Sequence, residues 1–512
     1  MKTPEQAMLN IKRILTKERW MTIMVVFALG LLAHGYRITN NIPNWDSLLN
    51  EYHDQNMINL GRCFLGLACG ISSFYELPFF NGILSILYLA VTAVIVCEIL
   101  EIRTGFGRFA TAGILVTFPT VASTFCYIYT ADGYFLSAMC MAVAVLLLAR
   151  KKWGWIPAAI LICFGTGVYQ AYITFAMVLI LLKAIGDLLF RQKKLQEIMV
   201  FLGKSLLAGG AGSVIYYAVL NGLLRIQNNI LSDYQGISDM YSMNGMDLVW
   251  SLKQIVKNFF WFFFGSNGKW NFYVTLNLFM ILLILFFTVR MIVDRQIYNS
   301  AKSFLLLFVL GIAVPVACFA VFLMAPNVDY HMLMCYGVSG VYLYFIQMYE
   351  QEEKRLVGIE NVRKWAVLTV TVLILFNFVL IANITYHLLE LSYEKSYGTV
   401  LRISDRVEQT EGWEEGMTLA VLGEETVIDD YFVNMPPMMT GTTLGLAARE
   451  SFNIEAMLGD YTGLVFEEIT DETEKELAAS KEFQQMTSWP GSGSVKIIGD
   501  VMVIKLGEVV EK

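Results

Sequence analysis

Long apolar runs alternate with short polar connections over three quarters of this chain. A helix that crosses a bilayer needs about 20 mostly apolar residues. Eleven segments approach that pattern: 20–36, 79–98, 109–128, 134–149, 154–169, 171–189, 203–224, 272–293, 303–324, 332–349 and 365–388. Beyond residue 388 the pattern changes. Residues 392–411 carry a helical periodicity, whereas Thr418–Leu422, Gly463–Glu468 and Ser494–Leu506 are rich in β-forming residues. Ile498-Gly499-Asp500-Val501 reads as a hairpin turn. The predicted fold is mainly α, a polytopic transmembrane helical bundle of about 11 spans, followed by a small α/β C-terminal domain.

Composition agrees with the runs. Of 512 residues, 56% are hydrophobic and 16% charged, against roughly 25% charged in soluble domains. So few charges cannot cover a water-facing surface of this size, and lipid is the remaining solvent. Charge is also divided along the chain. Residues 389–512 hold 24 acidic and 9 basic residues, and residues 1–388 hold 20 and 28. The basic excess sits at the ends of apolar segments, so it is not a nucleic-acid signal. The eight cysteines all lie in or beside apolar segments without CxxC spacing. They read as small buried side chains rather than as disulfides or a zinc site.

Orientation follows from Lys and Arg in short connections. Every second connection is basic: Lys12 to Arg19, Arg103 with Arg108, Arg150 to Lys152, Arg191 to Lys194, Arg290 to Lys302, and Lys354 to Lys364. That pattern predicts a cell-membrane protein with a cytoplasmic N-terminal segment, 1–19. A transmembrane domain, 20–388, follows it, and an acidic extracytoplasmic domain, 389–512. The first apolar segment lacks a small-residue cleavage site and reads as an anchor. Two outside loops are long, 37–78 and 225–270. The aromatic run Phe259–Phe264 in the second is too short to span and reads as interfacial or re-entrant.

The densest polar cluster lies in the first of these loops: Asn44, Trp45, Asp46, Glu51, Tyr52, His53, Asp54, Gln55, Asn56, Asn59 and Arg62. A carboxylate there could take a proton from an acceptor hydroxyl, and an arginine could hold a phosphate through paired hydrogen bonds. A partly helical 46–62 would set Asp46 and Asp54 near one face, two turns apart, with Arg62 continuing that face. The same residues also suit a solvated loop at headgroup level. Other outside turns carry Asp132, Tyr169 with Gln170, Asp329 with His331, and Lys269 with Trp270. Lys269 is a candidate phosphate ligand and Trp270 a sugar-stacking ring. Asp before Gly is ordinarily a turn residue, and tryptophan at this depth also belongs to the aromatic belt. No nucleotide-binding loop, HExxH, GxSxG or dinucleotide fingerprint is present.

Asn44-Trp45-Asp46, Asp54, Leu60-Gly61-Arg62-Cys63-Phe64-Leu65 and Leu77-Pro78-Phe79-Phe80-Asn81-Gly82-Ile83-Leu84-Ser85 together carry a resemblance. So do Thr130-Ala131-Asp132-Gly133-Tyr134 and Gly167-Val168-Tyr169-Gln170-Ala171-Tyr172. These stretches resemble the bacterial glucosyltransferase family that includes the phage serotype-converting Gtr enzymes, over roughly residues 40–350. One departure is Cys63, where a bulky aromatic is expected after the Gly-Arg pair. The resemblance implies a GT-C-type enzyme that moves a sugar, glucose first, from a polyprenyl-phosphate donor to a cell-surface glycan on the outer face. It implies Asp46 or Asp54 as the base and Arg62 on the donor phosphate. It also implies that Asp132 and Gln170 line the sugar pocket, and the residues themselves add Trp45, Glu51, Tyr169, Trp270 and His331 as candidates for the sugar and acceptor pocket. No cofactor is implied with certainty. A divalent cation is compatible with phosphate departure, although the sequence offers no dedicated cage.

Two other classes remain open at this stage. A flippase or transporter of a lipid-linked sugar should show broken helices in two matching halves and charges at mid-membrane. The mid-membrane here is nearly free of charge, and no inverted repeat is evident. A non-enzymatic subunit of a cell-envelope complex would use the acidic domain for binding.

Overall fold

The computed structural model describes residues 3, 6, 15–50, 52–237, 245–265, 271–350, 357–423, 435–443, 445–448 and 451–507. The chain divides into two compact units. The first comprises Met1–Asn40, His53–Asn383 and Phe432–Thr440, and the second Asn41–Tyr52, Ile384–Tyr431 and Gly441–Lys512.

The first unit is helical. Its elements are α1 (Lys17–Thr39), α2 (Leu65–Cys69), α3 (Pro78–Leu100), α4 (Gly105–Thr117), α5 (Pro119–Cys126), α6 (Ile128–Arg150), α7 (Trp155–Val168), α8 (Ile173–Leu189) and α9 (Leu195–Ile226). There follow α10 (Gly245–Phe264), α11 (Phe272–Asp294), α12 (Ala301–Cys318), α13 (Ser339–Tyr349) and the 52-residue α14 (Val357–Glu408). All eleven apolar segments of the sequence fall on helices. Nine helical stretches among the described residues are long and apolar enough to cross a membrane, whereas α7 has only 14 residues. The run 332–349 divides into a 3-10 stretch, Met332–Val338, and α13. Phe259–Phe264 ends α10, a helix of 20 residues.

Local chemistry sets the boundaries. Thr16, Thr104, Asn271 and Ser300 cap the first turns of α1, α4, α11 and α12 with their side-chain oxygens. Pro78 and Pro119 start α3 and α5, where a missing N–H leaves no bond unmade. Proline also forces its predecessor out of the helical region, and Phe118 sits at φ −53°, ψ 140° between α4 and α5. That break lies in the centre of the unit. The fully buried Phe118 ring meets Phe262, Tyr336, Tyr342 and Phe378 with centroids 5.6–6.4 Å apart. Aromatic side chains of that size contribute about 3–5 kcal/mol each when fully buried. The α4–α5 stretch is almost wholly buried, while only about a quarter of the apolar helices α9, α11 and α12 is buried. Such faces are stable only against lipid or a partner.

The second unit has a four-stranded sheet of β1 (Thr418–Leu422), β2 (Glu467–Glu468), β3 (Val495–Ile498) and β4 (Val501–Lys505), in the order β2-β1-β4-β3. β1 runs parallel to β2 and β4, and β3 returns antiparallel to β4 through Gly499 at φ 65°. One face of the sheet packs Leu419, Val421, Met502 and Ile504 on Val400, Ile403 and Val407 of α14. The same core takes in Leu48 from the 3-10 turn Ser47–Leu49. Asn453 donates its side-chain amide to the Trp45 carbonyl at 2.8 Å.

Candidate active site

The site is built on Arg62. Its backbone pairs with Met57 in an isolated antiparallel bridge around a 3-10 turn, Ile58–Leu60. Gly61 closes the turn at φ 72°, a conformation that favours glycine. A Cβ there would lie 2.4 Å from the Gln170 Nε2 and 2.9 Å from the Tyr216 hydroxyl. Both side chains use that proximity. Gln170 donates to the Leu60 carbonyl at 2.9 Å, and Tyr216 donates to the Gly61 carbonyl at 2.8 Å. Phe64 donates its amide to the Gly167 carbonyl at 2.8 Å. The Leu60–Phe64 and Gly167–Tyr172 motifs, a hundred residues apart in the sequence, therefore lock together. Cys63 and Phe64 pack closely on Gly167: a Cβ there would meet the Cys63 Sγ at 2.8 Å and the Phe64 ring at 2.5 Å. Phe64 stacks on Phe164.

Arg62 Nη1 donates to the Tyr134 hydroxyl at 3.1 Å, and its guanidinium lies 5.2 Å from the centroid of the Tyr169 ring. Among the described residues no carboxylate pairs with it. Burial works against the charge, but the hydroxyls of Tyr134, Tyr169, Tyr129 and Tyr234 outweigh it and hold the guanidinium firmly protonated. The result is a cation surrounded by electron-rich rings and, among the described residues, without a carboxylate counter-ion.

Arg62, Tyr169, Gln170 and His331 line one cavity of about 80 Å³, together with Tyr234 and an apolar wall of Val321, Met324 and Val328. The sequence singled out all four of these polar residues. His331 arrives in extended conformation (φ −121°, ψ 172°) before the 3-10 stretch Met332–Val338. Its Nδ1 is buried and makes no hydrogen bond among the described residues. Burial, with a smaller push from Arg62, lowers its pKa to about 4 against the opposing pull of Asp329. His331 is therefore neutral at pH 7.

The other candidates lie elsewhere. Among its described residues, 46–62 is not one helix: it is 3-10 at Ser47–Leu49 and Ile58–Leu60 with non-helical backbone between. The shared face of Asp46, Asp54 and Arg62 is therefore not formed. Trp45 and Asp46 belong to the second unit. Asp54 belongs to the first, is exposed, and accepts from the Asn56 amide at 3.0 Å. Asp132 is not at a turn. α6 begins at Ile128, six residues ahead of the apolar run, and carries Asp132 as a buried residue near Ser72 and Cys69. Glu51, Lys269 and Trp270 lie outside the described residues. Tyr134 and Tyr234 were missed as site residues. Tyr134 stood within a quoted motif, but tyrosines at helix ends read as an aromatic belt.

The model of one protein family, glucosyl transferase GtrII, matches residues 35–344. The chain belongs to this family. It is a glycosyltransferase, and the GtrII match takes in every residue that lines the Arg62 cavity. Comparison with curated proteins and with solved structures found no match.

Proposed function

We propose that this GtrII-family enzyme transfers glucose from a polyprenyl-phosphate donor to a cell-surface glycan on the outer face of the membrane. The observation that carries the reading is Arg62, a half-buried cation among tyrosines with no carboxylate partner among the described residues. Such a group calls for an anionic ligand, and a guanidinium fork suits a phosphate. An apolar groove of about 550 Å³, lined by Phe259, Ile281, Phe308, Pro315 and Tyr344, supports a lipid donor. It runs along α12, whose continuation supplies Val321 and Met324 to the Arg62 cavity.

In the transfer, an acceptor oxygen forms a bond to the anomeric carbon as the bond from that carbon to the phosphate oxygen breaks. The electron pair leaves with the polyprenyl phosphate, and the acceptor proton passes to a carboxylate base. Arg62 stabilises charge developing on the leaving phosphate. Tyr169 offers a ring to the sugar, and the Gln170 and His331 side chains offer hydrogen bonds. The base is Asp46 or Asp54, both of the first loop. In this proposal the basic connections face the cytoplasm and that loop faces outward.

The test is transfer by the purified full-length protein from polyprenyl-phosphate glucose to envelope glycan, run beside Arg62→Gln, Asp46→Asn and Asp54→Asn. Arg62→Gln is expected to abolish transfer and weaken donor binding. Full activity in Arg62→Gln would overturn the reading of the site.

A further inference from the structure

A second polar cavity lies at the other end of the same helices. On α6, Tyr134 and Arg150 are separated by roughly 24 Å at the helical rise of 1.5 Å per residue. Tyr134 contacts Arg62, and Arg150 lines a cavity of about 520 Å³. Two carboxylates in its wall, Glu98 and Glu101, face five cationic side chains, among them Arg103, Arg108 and Lys183.

The acids are already engaged. Glu98 pairs with Arg19 at 3.0 Å and with Arg150. Glu101 faces Arg191 at 3.0 Å and Lys183 at 3.6 Å. Nearby Asp187 takes Lys183, Arg191 and Lys193 at 2.6–3.2 Å. Glu350 accepts from the Arg103 and Thr104 amides at 2.9 and 3.1 Å and from the Thr104 hydroxyl at 2.5 Å, at the start of α4. Arg108, one turn into α4, is only 9% exposed, and its Nε and Nη1 make no hydrogen bond among the described residues. Leaving a buried guanidinium without acceptors costs several kcal/mol. Among the described residues, no carboxylate supplies them.

We propose that this cavity is a phosphate-binding site anchored by Arg108, with Arg103, Lys193 and Arg150 around the anion. The ligand is a phosphate ester or free phosphate. The site lies where three long apolar helical stretches end, at headgroup depth if they cross a bilayer, and that favours a lipid phosphodiester. The proposal does not depend on the donor assigned to the Arg62 cavity.

The experiment uses the full-length protein in nanodiscs of phosphatidylcholine, followed by thermal unfolding. In one arm phosphatidylglycerol replaces part of the neutral lipid. In the other, inorganic phosphate replaces chloride at constant ionic strength. The wild type is expected to gain several degrees in Tm in at least one arm. The gain should fall to half or less in Arg108→Gln, persist in Arg108→Lys, and persist in Arg62→Gln, which separates the two cavities. A response to phosphatidylglycerol alone identifies a lipid headgroup, and one to inorganic phosphate identifies a soluble ligand. If Arg108→Gln does not fold, Arg103→Gln, whose side chain is 82% exposed, carries the test and should also halve the gain. No gain in either arm, or equal gains in wild type and the folded variant, overturns the site.

Discussion

The rings of Tyr134 and Tyr169 stack almost parallel, with centroids 4.3 Å apart and planes 12° apart, and the Arg62 guanidinium contacts both residues. The stack fixes where the charge sits. Tyr134→Phe removes one hydrogen bond to a cation, worth about 1.5–3 kcal/mol, and keeps the ring. The expected result is a loss of roughly 10- to 100-fold in kcat/KM with a Tm lowered by a few degrees. Tyr134→Ala should lose both activity and stability. Equal activity in Tyr134→Phe and wild type would remove the hydroxyl from the mechanism.

Arg62→Lys separates charge from geometry. An ammonium keeps the charge but loses the planar fork. Transfer is expected to fall by about two orders of magnitude, and donor KM should rise. Recovery to wild-type rates would mean that Arg62 acts as a point charge only.

Gly61→Ala tests the lock between the two motifs. The added methyl meets Gln170 and Tyr216 in a left-handed backbone, at a cost of about 1–3 kcal/mol for the backbone alone. Unfolding of the detergent-solubilised protein should shift to lower temperature, and Gln170→Ala in the same chain should recover part of the shift. An unchanged Tm in Gly61→Ala would contradict the described contact.

His331 gives a pH signature. Its folded pKa of about 4 lies below the ordinary value of 6.5, so the neutral form is favoured by folding. That contribution is complete above about pH 6.5 and is lost as pH falls towards 4, because the unfolded chain takes up the proton first. The expected outcome is a Tm that declines more steeply over this window in wild type than in His331→Gln. Parallel curves would place His331 in water.

Arg37 and Glu76 form a largely buried ion pair at 2.9 Å, with Arg37 also donating to the Phe125 and Asn40 carbonyls. Removing one partner of such a pair costs about 3–5 kcal/mol. Glu76→Gln should destabilise strongly, and Arg37→Met with Glu76→Leu should restore much of the loss. A neutral effect of Glu76→Gln would show that the carbonyls alone hold the guanidinium.

The helices were legible because hydropathy acts locally: twenty apolar residues from Pro78 or Phe272 leave the chain few alternatives. Arg62, Tyr169, Gln170 and His331 were legible because short motifs place them at neighbouring ends of helices. Asp132 was misplaced by a boundary, since α6 starts with Ile128-Tyr129-Thr130, whose polar members hide the first turn from hydropathy. The segment around Asp46 was misread for another reason. Leu48 belongs to a core whose other members begin at Val400, and no local pattern records a partner so distant. Arg108 looked like an ordinary basic flank, because whether its acceptors are taken depends on Glu98, Glu101 and Glu350 together.

That distance between Leu48 and its core has a consequence in time. During synthesis at about 5–20 residues per second, Leu48 precedes Val400 and Met502 by roughly 20 seconds to more than a minute. The loop that carries Trp45 and Asp46 must remain unassembled through that interval, after the first helices have formed. A chain halted before β4 would have its helices but not the seat for Leu48.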